Sequence, residues 1–251
     1  MEINGHKIEP GAKLRQIYLP DTDLSRANLK YANLSHSNLE NSNFSDADMN
    51  DVDLSFAKLR GAKFAFAKLS NADMHGANLC NADLSGAKLD GVNLNSADLT
   101  GANLQRADLT NSILSDAKLI SADLKFVTLD GAKLYEANLK KASLCESNLV
   151  GITAIESEFS EANLSGANLA HAVLTQTSFF FANLRFVKLS FANLSATNFL
   201  GADLTGADLS GANLTGADFY KANLERAKVD DSELLKANLK GATMPDGTIH
   251  K

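Results

Sequence analysis

From Leu14 to Met244 a bulky apolar residue returns at every fifth position without insertion or deletion, giving 47 centres. Thirty-six are Leu; the others are Phe44, Phe64, Phe159, Phe179, Phe199, Phe219, Met49, Met74, Met244, Val229 and Ala154. Two positions before each centre stands a small or β-branched residue, Ala in 32 cases and otherwise Ser, Thr, Val or Ile. The residue just before the centre is usually Asn, Asp or Lys, as in Ala27-Asn28-Leu29 and Ala202-Asp203-Leu204. A period of five suits neither regular element. On one helix successive centres would advance by about 140° and spread Leu around the cylinder, and on one strand they would alternate faces. The pattern predicts a solenoid. Each pentapeptide is a short extended side and a corner, with the centre and the small residue two before it turned inward.

Glycine marks the corner. Fourteen of the sixteen glycines lie two residues after a centre or on that phase, where a type II turn needs a positive φ. Pro10, Pro20 and Pro245 sit near the ends, and none interrupts 21–244, where it would delete a ladder hydrogen bond. Phe159, Phe179, Phe199 and Phe219 are spaced by twenty, as are Phe44 and Phe64. A four-sided coil of twenty residues turns each set into a stack on one face. At about 4.8 Å per coil, just under 12 coils make a rod roughly 55 Å long. Residues 1–11 break the phase around an Asn4-Gly5 turn signal and are expected to cap the rod. Residues 12–244 form the repeats, and 245–251 a polar tail with a Pro-Asp-Gly turn. At 150–154 the large and small residues exchange places, Ile152 for Ala154, which predicts a local bulge or slight bend.

Tandem Ala-(Asp/Asn)-Leu-x-x over about 12–244 resembles the pentapeptide repeat family. The resemblance implies an all-β fold, a right-handed four-sided parallel β-helix, and no enzymatic activity. It further implies one of two settings for some members: protection of DNA gyrase by mimicry of DNA, or cyanobacterial development. The ending Ala242-Thr243-Met244-Pro245-Asp246-Gly247-Thr248-Ile249-His250 resembles the tail of several cyanobacterial members, a heterocyst regulator among them.

Composition adds limits. With 251 residues, 45% hydrophobic residues and a net charge of −6, the chain has ample core material and no basic balance for nucleic-acid binding. No run of apolar residues is long enough to span a membrane. The start Met1-Glu2-Ile3-Asn4-Gly5 lacks a secretory pattern, and two cysteines make no disulfide framework. A cytoplasmic setting is expected.

Function must then lie in the outward positions. Of His6, His36, His75, His171 and His250, His36 and His75 share a face two coils apart, and neither has a Ser or Cys partner at triad reach; Cys80 and Cys145 fall on different faces, and no Cys/His set has zinc spacing. Neither catalysis, cofactor nor metal is expected. Asp116, Glu136 and Glu156 stack at a spacing of twenty with Glu158 nearby, a short acidic ladder. They read either as solvated carboxylates screened by salt or as a site for a cation or basic partner. Mixed signs elsewhere, as at Lys68, Lys88, Arg106, Lys118, Lys125, Lys140 and Lys141, weaken a DNA-mimic reading, since duplex DNA carries one charge per roughly 1.7 Å. Phe180, Leu200 and Tyr220 follow the centre on successive coils of one face and should form an exposed vertical stripe, with Phe181 beside it. Phe186 and Phe191 occupy the next corners of the same coil, and Arg185 and Lys188 lie between. Aromatics with a basic rim are common at protein interfaces; the alternative is that corner rings lie flat and cover neighbouring backbone. The expected function is a rigid rod that contacts a protein partner, in a regulatory or scaffold role. The rivals are a gyrase-protecting DNA mimic and a plain structural spacer.

Overall fold

The computed structural model describes residues 2–3 and 5–251; Met1 and Asn4, half of the Asn4-Gly5 turn signal, lie outside the described residues. A short antiparallel hairpin, β1 (Glu2–Ile3) and β2 (His6–Lys7), opens the chain. Ile8 behind it is buried against the core. From there the chain winds as a parallel β-helix. The residue before each centre forms a single bridge with its equivalent twenty positions on, from Lys13 with Asn33 through Asn223 with Thr243, Asn213 excepted.

The repeat Asn33–Ser37 shows why these residues suit the fold. Leu34 N–H donates to Asp53 O (2.7 Å), His36 N–H to Ser55 O (2.8 Å) and Asn33 N–H back to Ala12 O (2.9 Å). Ser37 N–H closes the corner on Leu34 O (3.3 Å). One donor per repeat, the N–H just after the centre, has no backbone acceptor. Here it is Ser35 N–H, and the Asn33 Oδ1 takes it at 3.0 Å. The Asn or Asp before each centre therefore completes the backbone accounting of its own repeat. Asn43 for Ser45, Asp98 for Thr100 and Asp203 for Thr205 repeat the device.

Apart from the corners closed by Thr22 and Ser157, each corner from Gly11 to Arg226 is a hydrogen-bonded turn, and its third residue has positive φ. Every residue on that phase from Gly11 to Arg226 has a φ between +51° and +71°, glycine or not. The non-glycine cost is of order 1–2 kcal/mol per residue, and the next coil's ladder holds the turn in place.

Every centre from Leu14 to Leu224 is buried. The Phe centres stack as rings: Phe44 on Phe64 at 4.9 Å, and Phe159, Phe179, Phe199 and Phe219 in sequence at 5.1, 5.4 and 4.7 Å. Buried hydroxyls at the small position donate to carbonyls, as Ser42 to Leu19 O (2.6 Å) and Thr197 to Leu174 O (2.8 Å).

Two expectations about the repeats are corrected. The exchange at Ile152 and Ala154 makes no bulge: both are fully buried, and Thr153 keeps its bridges to Lys133 and Val173. Ile152 falls in a column with Ala132 and Ala172, and Ala154 with Leu134 and Leu174, so moved volume is matched by small and large neighbours. The perturbation is confined to two corners: Ile152 N–H reaches Leu149 O at 3.4 Å, and Ser157 N–H makes no backbone bond to Ala154 O, while its hydroxyl donates to Leu134 O. Further on, the sequence phase persists through Leu234, but the backbone leaves the pentapeptide path in a short helix, α1 (Asp231–Leu234). Leu234 is buried, while Ser232, the expected inward small residue, is exposed. The bridge from Asn213 to Glu233 is missing, and the segment closes on itself instead, Leu234 N–H on Asp230 O and Leu235 N–H on Asp231 O. Two carboxylates replace the carbonyls the helix withdraws from the coil beneath: Asp230 accepts from Gly211 N–H (3.2 Å) and Glu233 from Leu214 N–H (3.1 Å). The last residues fold back, Ile249 pairing antiparallel with Thr243. Among the described residues no helix is long and apolar enough to cross a membrane.

Candidate interaction surface

Because the interior is filled by centres and small residues, every outward side chain comes from three phases: the bridge residue before the centre, the residue after it, and the left-handed corner residue. Register then fixes columns along the rod. Phe180, Leu200 and Tyr220 share a column, since Ser178, Asn198 and Asp218 before their centres are bridged in series. The exposed stripe expected from them is corrected: Leu200 and Tyr220 are half-buried. A residue that opens a corner lies between the corners of adjacent coils, about 4.8 Å away on each side, and is covered by them. Phe180, which follows the small Ser160 in this column, remains partly exposed. Phe181 meets it edge-on at 4.5 Å with an interplanar angle of 80°, a favoured geometry.

Phe181, Phe186 and Phe191 are 57%, 59% and 64% exposed. They stand on three successive corners of one coil, each in a separate column, and no ring contact joins them among the described residues. The structure brings together Phe180 and Phe181, with Leu200 and Tyr220 beyond. Phe186 instead lies under Arg185, whose guanidinium is 5.5 Å from the ring centroid and 3.1 Å from Asp203 Oδ2. Burial pushes the Asp203 carboxyl up, but the Thr205 hydroxyl and N–H and Arg185 outweigh it and hold the pKa below the usual value. Phe191 stacks on His171 at 5.3 Å. Lys221 sits 5.2 Å over the Tyr220 ring.

The corner rings share a feature that the sequence carries but that residue-by-residue reading misses. Each of Phe181, Phe186 and Phe191 lies over a glycine twenty residues on: Gly201, Gly206 and Gly211. A Cβ on Gly201 would stand 2.5 Å from Phe181 Cε1. Phe56 over Gly76 and Phe66 over Gly86 repeat the arrangement. The ring uses the missing side chain of the next corner as its seat. The signal is the pairing Phe(n)–Gly(n+20). These rings thus cover backbone on one side and present the other to solvent.

The acidic ladder divides. Asp116, Glu136 and Glu156 are exposed corner residues in one column, with φ of 58°, 55° and 58°. Glu158 lies around the turn on the next face, half-buried, and its Oε1 accepts from Ser160 N–H at 2.9 Å. It acts as the backbone acceptor that Asn or Asp supplies elsewhere. Among the described residues no three or more His, Cys, Asp or Glu side chains come together in a group that could hold a metal ion. His36 and His75 bracket Phe56, stacked at 5.1 Å and edge-on at 4.5 Å, and His75 Nδ1 is 2.8 Å from Asp73 Oδ1. Cys80 and Cys145 are free thiols; burial, then the Asp98 carboxylate, push the Cys80 thiol up. A shallow depression at the far end is lined by Asp231, Leu234, Met244, Pro245, Asp246 and Thr248.

Comparison with known proteins follows this geometry. The family model for pentapeptide repeats matches eight copies, over residues 11–46, 47–86, 81–116, 112–151, 157–190 and 188–226. Among solved structures the chain is similar to HetL, a pentapeptide repeat protein involved in heterocyst differentiation regulation from the cyanobacterium Nostoc sp. strain PCC 7120. The two are 35% identical over 98% of this chain and 94% of that one, with a TM-score of 0.65. QnrB1, a plasmid-mediated fluoroquinolone resistance protein, is 17% identical over 92% of each chain, with a TM-score of 0.45. A comparison with curated proteins gives no match. With the repeat matched over most of its length and a relative at this identity along almost the whole rod, the chain belongs to the pentapeptide repeat family.

Proposed function

We propose that the protein is a non-catalytic rod that works by protein contact in a regulatory or scaffold role, through the Phe180–Phe181 edge. In this reading the fold is a right-handed, four-sided parallel β-helix of about 12 coils, at roughly 4.8 Å per coil. It is one domain, with residues 1–11 as its cap, 12–244 as its winding and 245–251 as its tail, and the setting is cytoplasmic. The observation that carries the function is the exposed edge-to-face ring pair of Phe180 and Phe181, with half-buried Leu200 and Tyr220 beyond it, Lys221 over the Tyr220 ring, and Arg185 at the next corner over Phe186. Aromatic anchors with a cationic rim are the composition of protein-binding hot spots. A regulatory role is supported by the likeness to HetL, itself a protein involved in regulating differentiation.

The test is Phe180→Asp with Phe181→Asp. Asp takes a left-handed backbone more readily than Phe, and Asp116 already does so in this chain, so the rod should keep its circular dichroism. Crosslinked capture from the native host should lose its specific partner with this variant. Unchanged capture of the same partner contradicts the assignment.

A further inference from the structure

We infer that a second face of the rod, around Ile113, Tyr135, Ile155 and Val173, is a docking strip for a basic amphipathic helix of a partner protein. The strip begins with an omission. Along most columns the bridge residue is Asn or Asp, which accepts the N–H two residues on. On this face four successive coils give it up, with Ile113, Lys133, Thr153 and Val173 in its place, bridged in register. The residues after the centres are Ser115, Tyr135, Ile155 and Thr175. Ile113 and Tyr135 are exposed, and Ile155, Thr153 and Val173 half-exposed. Lys133 is exposed among them; its stem can cover the same surface while its ammonium stays in water. The result is a flat β-branched and aromatic patch over four coils, about 14 Å from Ile113 to Val173.

Its two edges differ. On one side the corners are Asn111, Gly131, Gly151 and His171; the Asn111 amide lies over Gly131, and the edge is open at Gly151, where a Cβ would meet nothing within 4 Å. On the other side runs the column Asp116, Glu136 and Glu156, with Glu158 just beyond. Among the described residues none of the three column carboxylates has an ion-pair or hydrogen-bond partner. Stacked like charges are unfavourable, and among the described residues no cation pairs with them directly, the lysines Lys118 and Lys133 standing on the faces to either side. An apolar strip beside an unpaired acidic edge is complementary to one occupant: an amphipathic segment with an apolar face and a cationic border.

The spacing selects a helix laid along the rod axis. Coils repeat at about 4.8 Å and helix turns at about 5.4 Å, so over the two intervals from Asp116 to Glu156 the mismatch stays near 1 Å. Lys or Arg at i, i+4 and i+7 would fall opposite successive carboxylates, with Leu or Ile between them on Ile113, Tyr135 and Ile155. An extended strand running the same way repeats its faces at about 6.6–6.8 Å and slips by nearly a full coil. This site is separate from Phe180 and Phe181, which lie across the neighbouring face.

A random helical-peptide display library, selected against the full chain at low salt, tests the inference. Enriched peptides should carry three basic residues on one border of an apolar face. Their affinity should fall at least tenfold in Asp116→Asn/Glu136→Gln/Glu156→Gln and in Ile155→Ser, and stay unchanged in Phe180→Asp/Phe181→Asp. Gln16, Gln176 and Asn111 already occupy the same left-handed corner, and Ser115 the Ile155 column, so both variants keep the fold. No enrichment, enrichment without a basic border, or full affinity for the triple variant would each overturn the inference. Loss of binding in the Phe180/Phe181 variant would move the site to that edge and also overturn it.

Discussion

Replacing Gly201 by Ala tests whether corner rings are seated on glycines or merely hang in solvent. The added Cβ would stand 2.5 Å from Phe181 Cε1 and 2.8 Å from its Cδ1, closer than real Cβ contacts allow, so the ring must lift. The same change at Gly216 is the control, because its φ is +70° against +65° at Gly201 while the nearest atom to its Cβ is Ala196 N at 4.0 Å. Both variants carry the left-handed backbone cost, of order 1–2 kcal/mol. Only Gly201→Ala also loses the ring seat. Phe181 is a little under half buried and full burial of a Phe is worth roughly 1.5–3 kcal/mol, so the extra cost is about 1 kcal/mol. Urea unfolding should place Gly201→Ala below Gly216→Ala by that amount. In a Phe181→Ala background the difference should vanish, giving a coupling of the same size. Equal midpoints for the two glycine variants, or no coupling to Phe181, would refute the seating argument.

Further outcomes follow from other parts of the rod. Ser112 has a buried hydroxyl without a partner, whereas Ser42 donates to Leu19 O; Ser112→Ala should be neutral or stabilising and Ser42→Ala should cost about 1 kcal/mol, read by urea midpoints. Asp208 is held below the usual carboxylate range by the Ser210 hydroxyl and N–H, against a smaller opposing effect of burial. A depressed folded pKa gives stability that is complete above the unfolded value, about 3.9, and is lost as pH falls through the folded one. Unfolding midpoints should therefore drop below about pH 4, less steeply in Asp208→Asn. Supercoiling by DNA gyrase with a quinolone should be unchanged by the protein, since three stacked carboxylates over about 10 Å do not imitate a duplex with a charge every 1.7 Å or so; protection would contradict this.

Much of the fold is legible from the five-residue period because the interior admits only one large and one small side chain per side. Leu29 and Ala27 announce their own burial, and Phe179 and Phe199 announce the coil length by their spacing. The Asn or Asp before each centre is equally visible, but its purpose emerges only when the N–H of Ser35 is found to lack a backbone acceptor. Helix α1 stays hidden because Leu234 keeps the phase; what changes is the missing bridge between Asn213 and Glu233, which no five-residue pattern records. The surface is harder to read. Leu200 and Tyr220 hold the register position of Phe180, yet coverage by adjacent corners depends on neighbours twenty residues away. The seating of Phe181, Phe186 and Phe191 is likewise written across coils, in glycines that single-repeat reading assigns only to turn geometry.

The central claim, that the Phe180–Phe181 edge carries a protein contact, is tested most directly by photo-crosslinking in the native host from benzoylphenylalanine placed at residue 181 or at residue 66. Phe66 is the matched control: a left-handed corner ring seated on Gly86, 67% exposed, five and three-quarter coils away by register. The account predicts a discrete adduct with one protein from residue 181 and none from residue 66. The same adducts from both positions, or none from residue 181, would contradict it.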